Sequence, residues 1–241
     1  MNQPTESWLA QHPYLQPLAD LHALVEHAAG EVPIAAVAVP AWEAYEAEYH
    51  QGVPLLHSAA VAIDWDLADA AVEAMEQKVR SSPLPAAVAS QPGLSEVLEW
   101  NVVSRMLRDV VPAFSRWRDE ERWLRPSCPT CDAAPAMAQL IGSDPGRMRM
   151  LWCGRCHTRW RFRRTACPFC EAGDDQRLNA VAVAGEDRLR IDYCEHCSGY
   201  LKTYVGEGSE EMWLADWTSL HLDVVARDRG LNRRAESLFH F

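Results

Sequence analysis

The sequence has no apolar run long enough to cross a bilayer. Its longest apolar stretch, Val32 to Trp42, has eleven residues and contains Pro33 and Pro40, whereas a membrane-spanning helix needs about 20 apolar residues. The first residues also lack both the basic cluster and the apolar core of a secretory signal. We therefore expect a cytoplasmic protein with no membrane insertion.

The common short motifs of enzyme active sites are missing as well. There is no G-x-S-x-G nucleophile turn, no H-E-x-x-H zinc motif and no glycine-rich loop to cradle a phosphate. Paired carboxylates in a suggestive frame are also lacking. The sequence thus gives no reason to expect an enzyme.

Positive charge is scarce except in the middle of the chain. The formal net charge is −11, and residues 1–127 carry 18 acidic and 8 basic side chains, or −10. Residues 128–205 carry 9 acidic and 11 basic side chains, or +2. An acidic balance repels nucleic acid unless a local basic field overcomes it, so the composition disfavours a nucleic-acid partner.

Cysteine is the residue type that the sequence organises most strictly. All eight cysteines fall into C-x-x-C pairs and none is left over. In a reducing cytoplasm this pattern favours metal binding over a disulfide framework. The candidate metal ligands are Cys128, Cys131, Cys153, Cys156, Cys167, Cys170, Cys194 and Cys197.

The four pairs form a tandem repeat. The second two pairs follow the first two at offsets of 39 and 41 residues, and each repeat reads C-x-x-C, then 21 or 23 residues, then C-x-x-C. Four thiolates in a tetrahedral cage suit zinc or a single iron. A sequential grouping, with one ion in each repeat, respects this pattern. An interleaved grouping stays open, because Cys156 and Cys167 are only eleven positions apart.

The periodicity of apolar residues changes where the cysteines begin. Residues 1–125 have a helical period, clearest in "LSEVLEWNVVSRMLRDVV", and Pro112 indicates a kink or a new start. "RMRMLW", "RLRIDY" and "HTRWRFRR" read as strands, and the helical period returns from Ser209 to Gly230.

These patterns predict an α+β fold. A mainly α-helical N-terminal body is followed by tandem rubredoxin- or zinc-ribbon-like β modules and a C-terminal helix. The predicted domains are an acidic helical domain at 1–125, metal modules at 126–165 and 166–205, and at 206–241 a helix that packs on the helical body.

One predicted strand has an apolar face and a basic face. Trp160 and Phe162 read as hairpin core. The opposite face could contact phosphates, or it could be solvated or paired with the acidic body. Its basic residues are Arg159, Arg161, Arg163 and Arg164.

Three segments resemble the formate dehydrogenase accessory protein family, FdhE. They are "SCPTCDAAPAMAQLIG", "MRMLWCGRCHTRWRFRRTACPFC" and "DYCEHCSGYLKTYV", and the run from Tyr193 to Lys202 is especially similar. The motifs cover roughly residues 126–235. Over residues 1–125 the likeness is limited to a helical, acidic character, and this body is shorter than is usual for the family.

The resemblance implies a cytoplasmic assembly factor for formate dehydrogenase. Its partner would be the catalytic molybdenum- or tungsten-containing subunit before export by the twin-arginine route, and the eight cysteines match the family's metal-binding positions. Two alternatives remain: a rubredoxin-like iron protein that handles electrons or sulfur in cofactor assembly, and a zinc-ribbon nucleic-acid binder.

Overall fold

The α+β character expected from the sequence is confirmed by the computed structural model, which describes residues 3–82, 93–173, 177–208 and 216–235. Helices precede and follow a β-sheet that carries both groups of cysteines. Within the described ranges, no helix combines the length and the apolarity that crossing a membrane requires. The helices are α1 (Gln3–Gln11), α2 (Gln16–Glu31), α3 (Trp42–His50), α4 (Trp65–Ser81), α5 (Leu94–Met106), α6 (Val110–Trp117) and α7 (Leu220–Asp228).

The chain divides into two compact units, each made of two segments. The first comprises Met1–Val39 and Ala62–Val110, and the second comprises Pro40–Val61 and Val111–Phe241. Residues 40–61 thus belong to the same unit as the cysteine-bearing sheet. The domain boundaries given above from the sequence stay a prediction.

The first unit is a set of helices packed through apolar faces. Helix α4 packs on α5 and on α2. The side chains of Met75 and Val79 on α4, and of Leu98 and Val102 on α5, are fully buried. Helix α4 begins at a side-chain cap, because Asp64 accepts a hydrogen bond from the Leu67 amide at 3.1 Å.

The long helical pattern read from the sequence breaks into two helices. Helix α5 ends at Met106, and α6 begins at Val110. Pro112 lies in the first turn of α6, where proline is tolerated because its missing amide hydrogen would have no partner within the helix. Pro112 therefore marks a new start, which was one of the two outcomes expected for it.

In the described residues, seven strands form one sheet. Six of them run in the order β3-β2-β1-β6-β5-β4, and β7 pairs in parallel with β6. The strands are β1 (Met137–Ile141), β2 (Met148–Trp152), β3 (Arg159–Phe162), β4 (Leu178–Ala182), β5 (Leu189–Cys194), β6 (Gly199–Val205) and β7 (Asn232–Arg233).

The sheet order shows how the two repeats join. Each repeat supplies three antiparallel strands, β1 to β3 and β4 to β6. Strand β1 of the first repeat then pairs in parallel with β6, the last strand of the second, so that Met137 lies opposite Lys202. In the described residues the two repeats are therefore halves of one continuous sheet.

Aromatic side chains in the second unit position the residues that lead into the first cysteine turn. The ring of Tyr49 on α3 stacks on Trp123 with 5.6 Å between centroids, and it meets Phe114 of α6 edge to face. The Trp123 indole donates a hydrogen bond to the carbonyl of Ser127, directly before Cys128. The backbone amides of Leu55 and Leu56 bind the carbonyls of the next two turn residues, Pro129 and Thr130.

Helix α7 covers one face of the sheet. Its residues Leu222 and Ala226 are fully buried against Ile191 of β5 and Tyr204 of β6. The sequence predicts that the C-terminal helix packs on the N-terminal helical body; the side chains that bury α7 in this cluster belong to the sheet. The described residues begin again at Asp216, so Ser209, the predicted start of this helix, lies outside them.

A buried ion network anchors the C-terminal segment to strand β6. Lys202 is 1 % exposed, and its ammonium lies 2.6 Å from Asp216 and 2.8 Å from Asp223. Arg233 pairs with the same two carboxylates, and the Tyr200 hydroxyl donates to Asp223 at 2.7 Å. Burial by itself would raise the pKa of Asp216, but the charges of Lys202 and Arg233 outweigh it and lower the pKa to about 2.

We expect Lys202→Met to lower the free energy of unfolding by about 3–5 kcal/mol, because it leaves two buried carboxylates with one cation. Urea unfolding followed by tryptophan fluorescence measures this. Lys78→Met is the matched control, since Lys78 is the chain's other lysine and pairs with Glu31 on the surface. Similar midpoints for the two variants would show that the network does not stabilise the fold.

Candidate metal centres

All four C-x-x-C turns share one backbone feature. The residue after the second cysteine has a positive φ in each turn, a conformation that costs little only for glycine. These residues are Asp132 (64°), His157 (59°), Glu171 (55°) and Ser198 (55°). In the first three turns its amide donates a hydrogen bond to the carbonyl of the first cysteine, at 2.9–3.1 Å. The sequence gives no sign of this strain, because none of the four is glycine.

The first group of cysteines is closed off from solvent. Cys128 and Cys131 lie before β1, and Cys153 and Cys156 lie between β2 and β3; all four are buried. The Sγ atoms of Cys128 and Cys156 are 3.5 Å apart, and those of Cys131 and Cys153 are 3.4 Å apart. A regular tetrahedron of sulfurs at the usual metal distance has edges of about 3.8 Å, so the group could hold one metal ion.

Two threonines support this first group. The Thr158 hydroxyl lies 3.1 Å from the Cys156 sulfur and 2.7 Å from the Thr130 hydroxyl. Both threonines are fully buried. Groups that hold ligands in place around a metal orient them and tune the bound ion. Sequence reasoning missed both residues, although Thr130 lies within the first C-x-x-C and Thr158 lies two positions after the second.

The second group has the same layout but is more open. It lies before β4 and between β5 and β6, and Cys170 and Cys197 are partly exposed. The Sγ separations are 3.7 Å for Cys167 with Cys197 and 3.9 Å for Cys170 with Cys194. The amides of Phe169 and Gly199 point at the sulfurs of Cys167 and Cys197, each at 3.4 Å.

The structure brings all eight predicted cysteines together in the sequential grouping. Within each group the sulfurs lie within 4.8 Å of one another, and all eight cysteines are free thiols. His157 stacks on the ring of Trp152, with 6.0 Å between centroids. The His196 side chain hydrogen-bonds to Cys170 and is thus a neighbour of the second group.

Clustering perturbs the acidity of the thiols. Burial raises the pKa of Cys128 and of Cys153 in the first group, and it raises the pKa of Cys167 in the second to about 12. Burial also opposes ionisation of Cys156 and Cys170. Hydrogen bonds outweigh it there, from neighbouring thiols to Cys156 and from the Ala172 amide and His196 to Cys170, and lower the pKa of Cys156 and bring that of Cys170 to about 6.

Each group therefore combines a thiol that ionises readily with others that stay protonated at neutral pH. A divalent cation binds thiolates, so it would displace the remaining protons as it enters. Four sulfurs also leave no open position on a tetrahedral ion, unlike a catalytic zinc site.

The basic strand face is engaged within its own unit. Arg161 pairs with Glu121, and Arg159 bonds to the side-chain oxygen of Gln139. Arg163 lies over the ring of Phe162, and Arg164 donates to the carbonyl of Arg147. Trp160 and Phe162 are buried, as the alternating pattern predicts. Arg159 and Arg161 are therefore paired with other side chains and do not form a free phosphate-binding face.

Together the fold and the cysteine groups define an α+β protein with two four-cysteine sites that could hold metal ions. No family model matches the chain. Curated relatives named "Protein FdhE homolog" do match it. The protein of Stutzerimonas stutzeri is 33 % identical over 117 residues, which are 46 % of this chain and 37 % of that protein. The protein of Actinobacillus pleuropneumoniae serotype 3 is 26 % identical over 148 residues, or 60 % and 48 % of the two chains.

A solved structure shares the fold. The crystal structure of the FdhE protein from Pseudomonas aeruginosa superposes with a TM-score of 0.62 at 20 % identity, covering 94 % of this chain and 88 % of that one. In sequence the chain matches between 34 % and 48 % of the length of these curated relatives. The sequence matches confirm the resemblance to FdhE proteins seen in the cysteine motifs, and the solved structure shows that the fold is shared.

We expect protein purified under reducing conditions to contain two metal ions per chain, and Cys156→Ser and Cys170→Ser to contain one each. Loss of the ion should cost more structure in Cys156→Ser, because its site is buried. Elemental analysis with near-UV circular dichroism measures both effects. Ser127→Ala is a control next to the first turn. Metal-free, fully folded wild-type protein would contradict the assignment.

Metal affinity should rise with pH and fall on acidification. Cys128 and Cys153 have a raised pKa without metal, so binding must displace their protons. Calorimetric titration of metal-free protein with zinc, in buffers of different ionisation enthalpy, counts the protons released. The same affinity at pH 6 and pH 8, with no proton release, would mean that the thiols are not the ligands.

Proposed function

We propose that this protein is an accessory factor in the maturation of formate dehydrogenase, acting in the cytoplasm and not as an enzyme. One observation carries the proposal: the chain combines sequence similarity to curated FdhE homologs with the fold of a solved FdhE protein over 94 % of its length. The proposed partner is the catalytic subunit of formate dehydrogenase before its export.

The eight cysteines are proposed to hold two ions, zinc or iron, that are chiefly structural. Each repeat spans only about forty residues, and a unit of that size rarely buries enough apolar surface to fold by itself. A structural zinc site contributes about 10–16 kcal/mol of apparent binding free energy, which is also folding free energy. The ions would therefore fix the sheet as a rigid surface for a partner.

Each unit has a helix with exposed acidic side chains to which a basic partner segment would be attracted. Helix α4 exposes Asp66, Asp69 and Glu73, and α3 exposes Glu43 and Glu46. A twin-arginine signal on an unexported subunit is basic, so charge attraction would raise its local concentration near such helices.

The test is genetic and biochemical. Deleting the gene in the source organism should abolish formate dehydrogenase activity, and the wild-type chain should restore it. A Cys131→Ser/Cys156→Ser variant should fail to restore it, whereas Arg227→Gln, an exposed change on α7, should succeed. Tagged protein should co-purify with the catalytic subunit, and more strongly when the export signal is present.

Full formate dehydrogenase activity in the deletion strain would refute the accessory role. Recovery of nucleic acid without any molybdenum or tungsten enzyme would favour the ribbon-type nucleic-acid binder instead.

A second candidate function, iron-based electron transfer, is favoured by the second site. Two amide-to-sulfur hydrogen bonds at Cys167 and Cys197 and the partial exposure of Cys170 are features that tune the potential of an iron–thiolate centre. Ferric thiolate absorbs visible light, so coloured protein that cycles reversibly between two oxidation states would support this function. Colourless, zinc-loaded protein from the native host would exclude it.

A further inference from the structure

A cavity of about 510 Å³ lies where the two repeats of the sheet meet. Residues of the first repeat between Pro145 and Thr165 form part of its lining. Residues of the second repeat between Cys167 and Leu201 form the rest. Cys167 and Cys194 of the second cysteine group also line the cavity.

The lining is strongly basic. It contains four arginines, at positions 147, 149, 164 and 190, against one carboxylate, Asp192, which leaves a net side-chain charge of +3 before thiolates are counted. Asp192 already accepts a hydrogen bond from Thr203 at 2.9 Å. Its contact with Arg190 is 2.8 Å long but lacks hydrogen-bond geometry.

Arg149 is the most deeply placed of the four. Arg149 is 8 % exposed to solvent, and one of its guanidinium nitrogens donates a hydrogen bond to the carbonyl of Ala166 at 3.1 Å. The other terminal nitrogen lies 3.9 Å from Asp192, too far for a hydrogen bond. Its Nε atom and that of Arg147 are buried and have no hydrogen-bond partner among the described residues, whereas the Nε of Arg190 lies 2.8 Å from Asp192 as an ion pair.

Unpaired, buried, charged donors are costly unless something accepts from them. Two such nitrogens belong to arginines of the cavity lining, and a bound oxyanion would interact favourably with the four guanidinium groups there, since guanidinium groups match phosphate in geometry and charge. The volume is within the range of small-molecule sites. Leu178, Leu201 and Tyr193 add apolar and aromatic lining, so a ligand larger than a bare ion would fit.

We propose that this cavity binds a phosphorylated small molecule, with its phosphate groups held by Arg147, Arg149 and Arg190. Arg164, which is exposed, stands at the rim. Arg149 and Arg190 occupy the same position in the two repeats, 41 residues apart. Two arginines of the site therefore come from equivalent positions in the two repeats. The pairing of β1 with β6 joins these repeats. The site does not depend on the accessory role proposed above.

A metal ion in the second cysteine group would balance only part of the positive charge of the cavity lining. A divalent ion held by four thiolates carries a charge of −2, so it would balance two of the three net positive charges. The competing explanation, that the arginines serve only that site, makes a different prediction. It requires that losing an arginine weakens metal retention and that no external anion binds.

The test is calorimetric titration of the metal-loaded, full-length protein with inorganic pyrophosphate and with ADP, at physiological salt to screen non-specific attraction. We expect saturable one-to-one binding. Arg190→Gln and Arg147→Gln, chosen because both side chains are partly exposed and less prone to misfold than Arg149, should each weaken binding roughly tenfold or more. Arg227→Gln, an exposed arginine outside the cavity, should bind as wild type does.

Three results would overturn the proposal. One is the absence of binding by either probe at millimolar concentration. Another is unchanged affinity in both cavity variants, with folding and metal content intact. The third is binding of a single-stranded oligonucleotide through the same arginines that pyrophosphate does not displace, which would make the basic lining part of a nucleic-acid surface. If Arg190→Gln loses the second ion and neither probe binds, the proposal is also overturned. That outcome would support the explanation that the arginines only balance the charge of the metal site.

Discussion

The fold of the cysteine-bearing region depends on the meeting of four sulfurs from two turns that are distant in sequence. In the first group the paired sulfurs come from residues 28 and 22 positions apart. Burial disfavours the thiolates of Cys128 and Cys153 and raises their pKa, whereas hydrogen bonds from neighbouring thiols outweigh burial at Cys156 and lower its pKa. A bound cation would let every sulfur ionise, and it would thereby couple metal binding to the folding of the hairpin between the turns.

The two groups differ in environment although their spacing is nearly the same. The first is closed by Thr130, Thr158 and the aromatic packing that leads into Cys128. The second has two partly exposed cysteines and borders an arginine-lined cavity. Burial favours a purely structural ion at the first site. The second site is partly exposed and borders the basic cavity, so solvent and dissolved molecules reach it more easily than the first site.

The run from Tyr193 to Lys202, which carries much of the family resemblance, combines two roles. Its cysteines belong to the second group, whereas Tyr200 and Lys202 hold Asp216 and Asp223 in a buried network. Lysine and tyrosine in such a motif resemble functional groups when only the sequence is seen. Their burial and their contacts with Asp216 and Asp223 show that they tie the C-terminal segment to the sheet.

Sequence alone determined the α+β character, the strands around each cysteine turn and the candidate ligand set, because hydrophobic period and C-x-x-C spacing are local properties. It left open the grouping of the cysteines, which depends on distances between segments. Only the tertiary structure decided the sequential grouping, the parallel pairing of β1 with β6 and the strained turns at Asp132 and Ser198. It also decided that α7 packs on the sheet and that Arg149 and Arg190 line one cavity. Apart from the turns, these features arise from contacts between residues tens of positions apart, for which the chain carries no local signal.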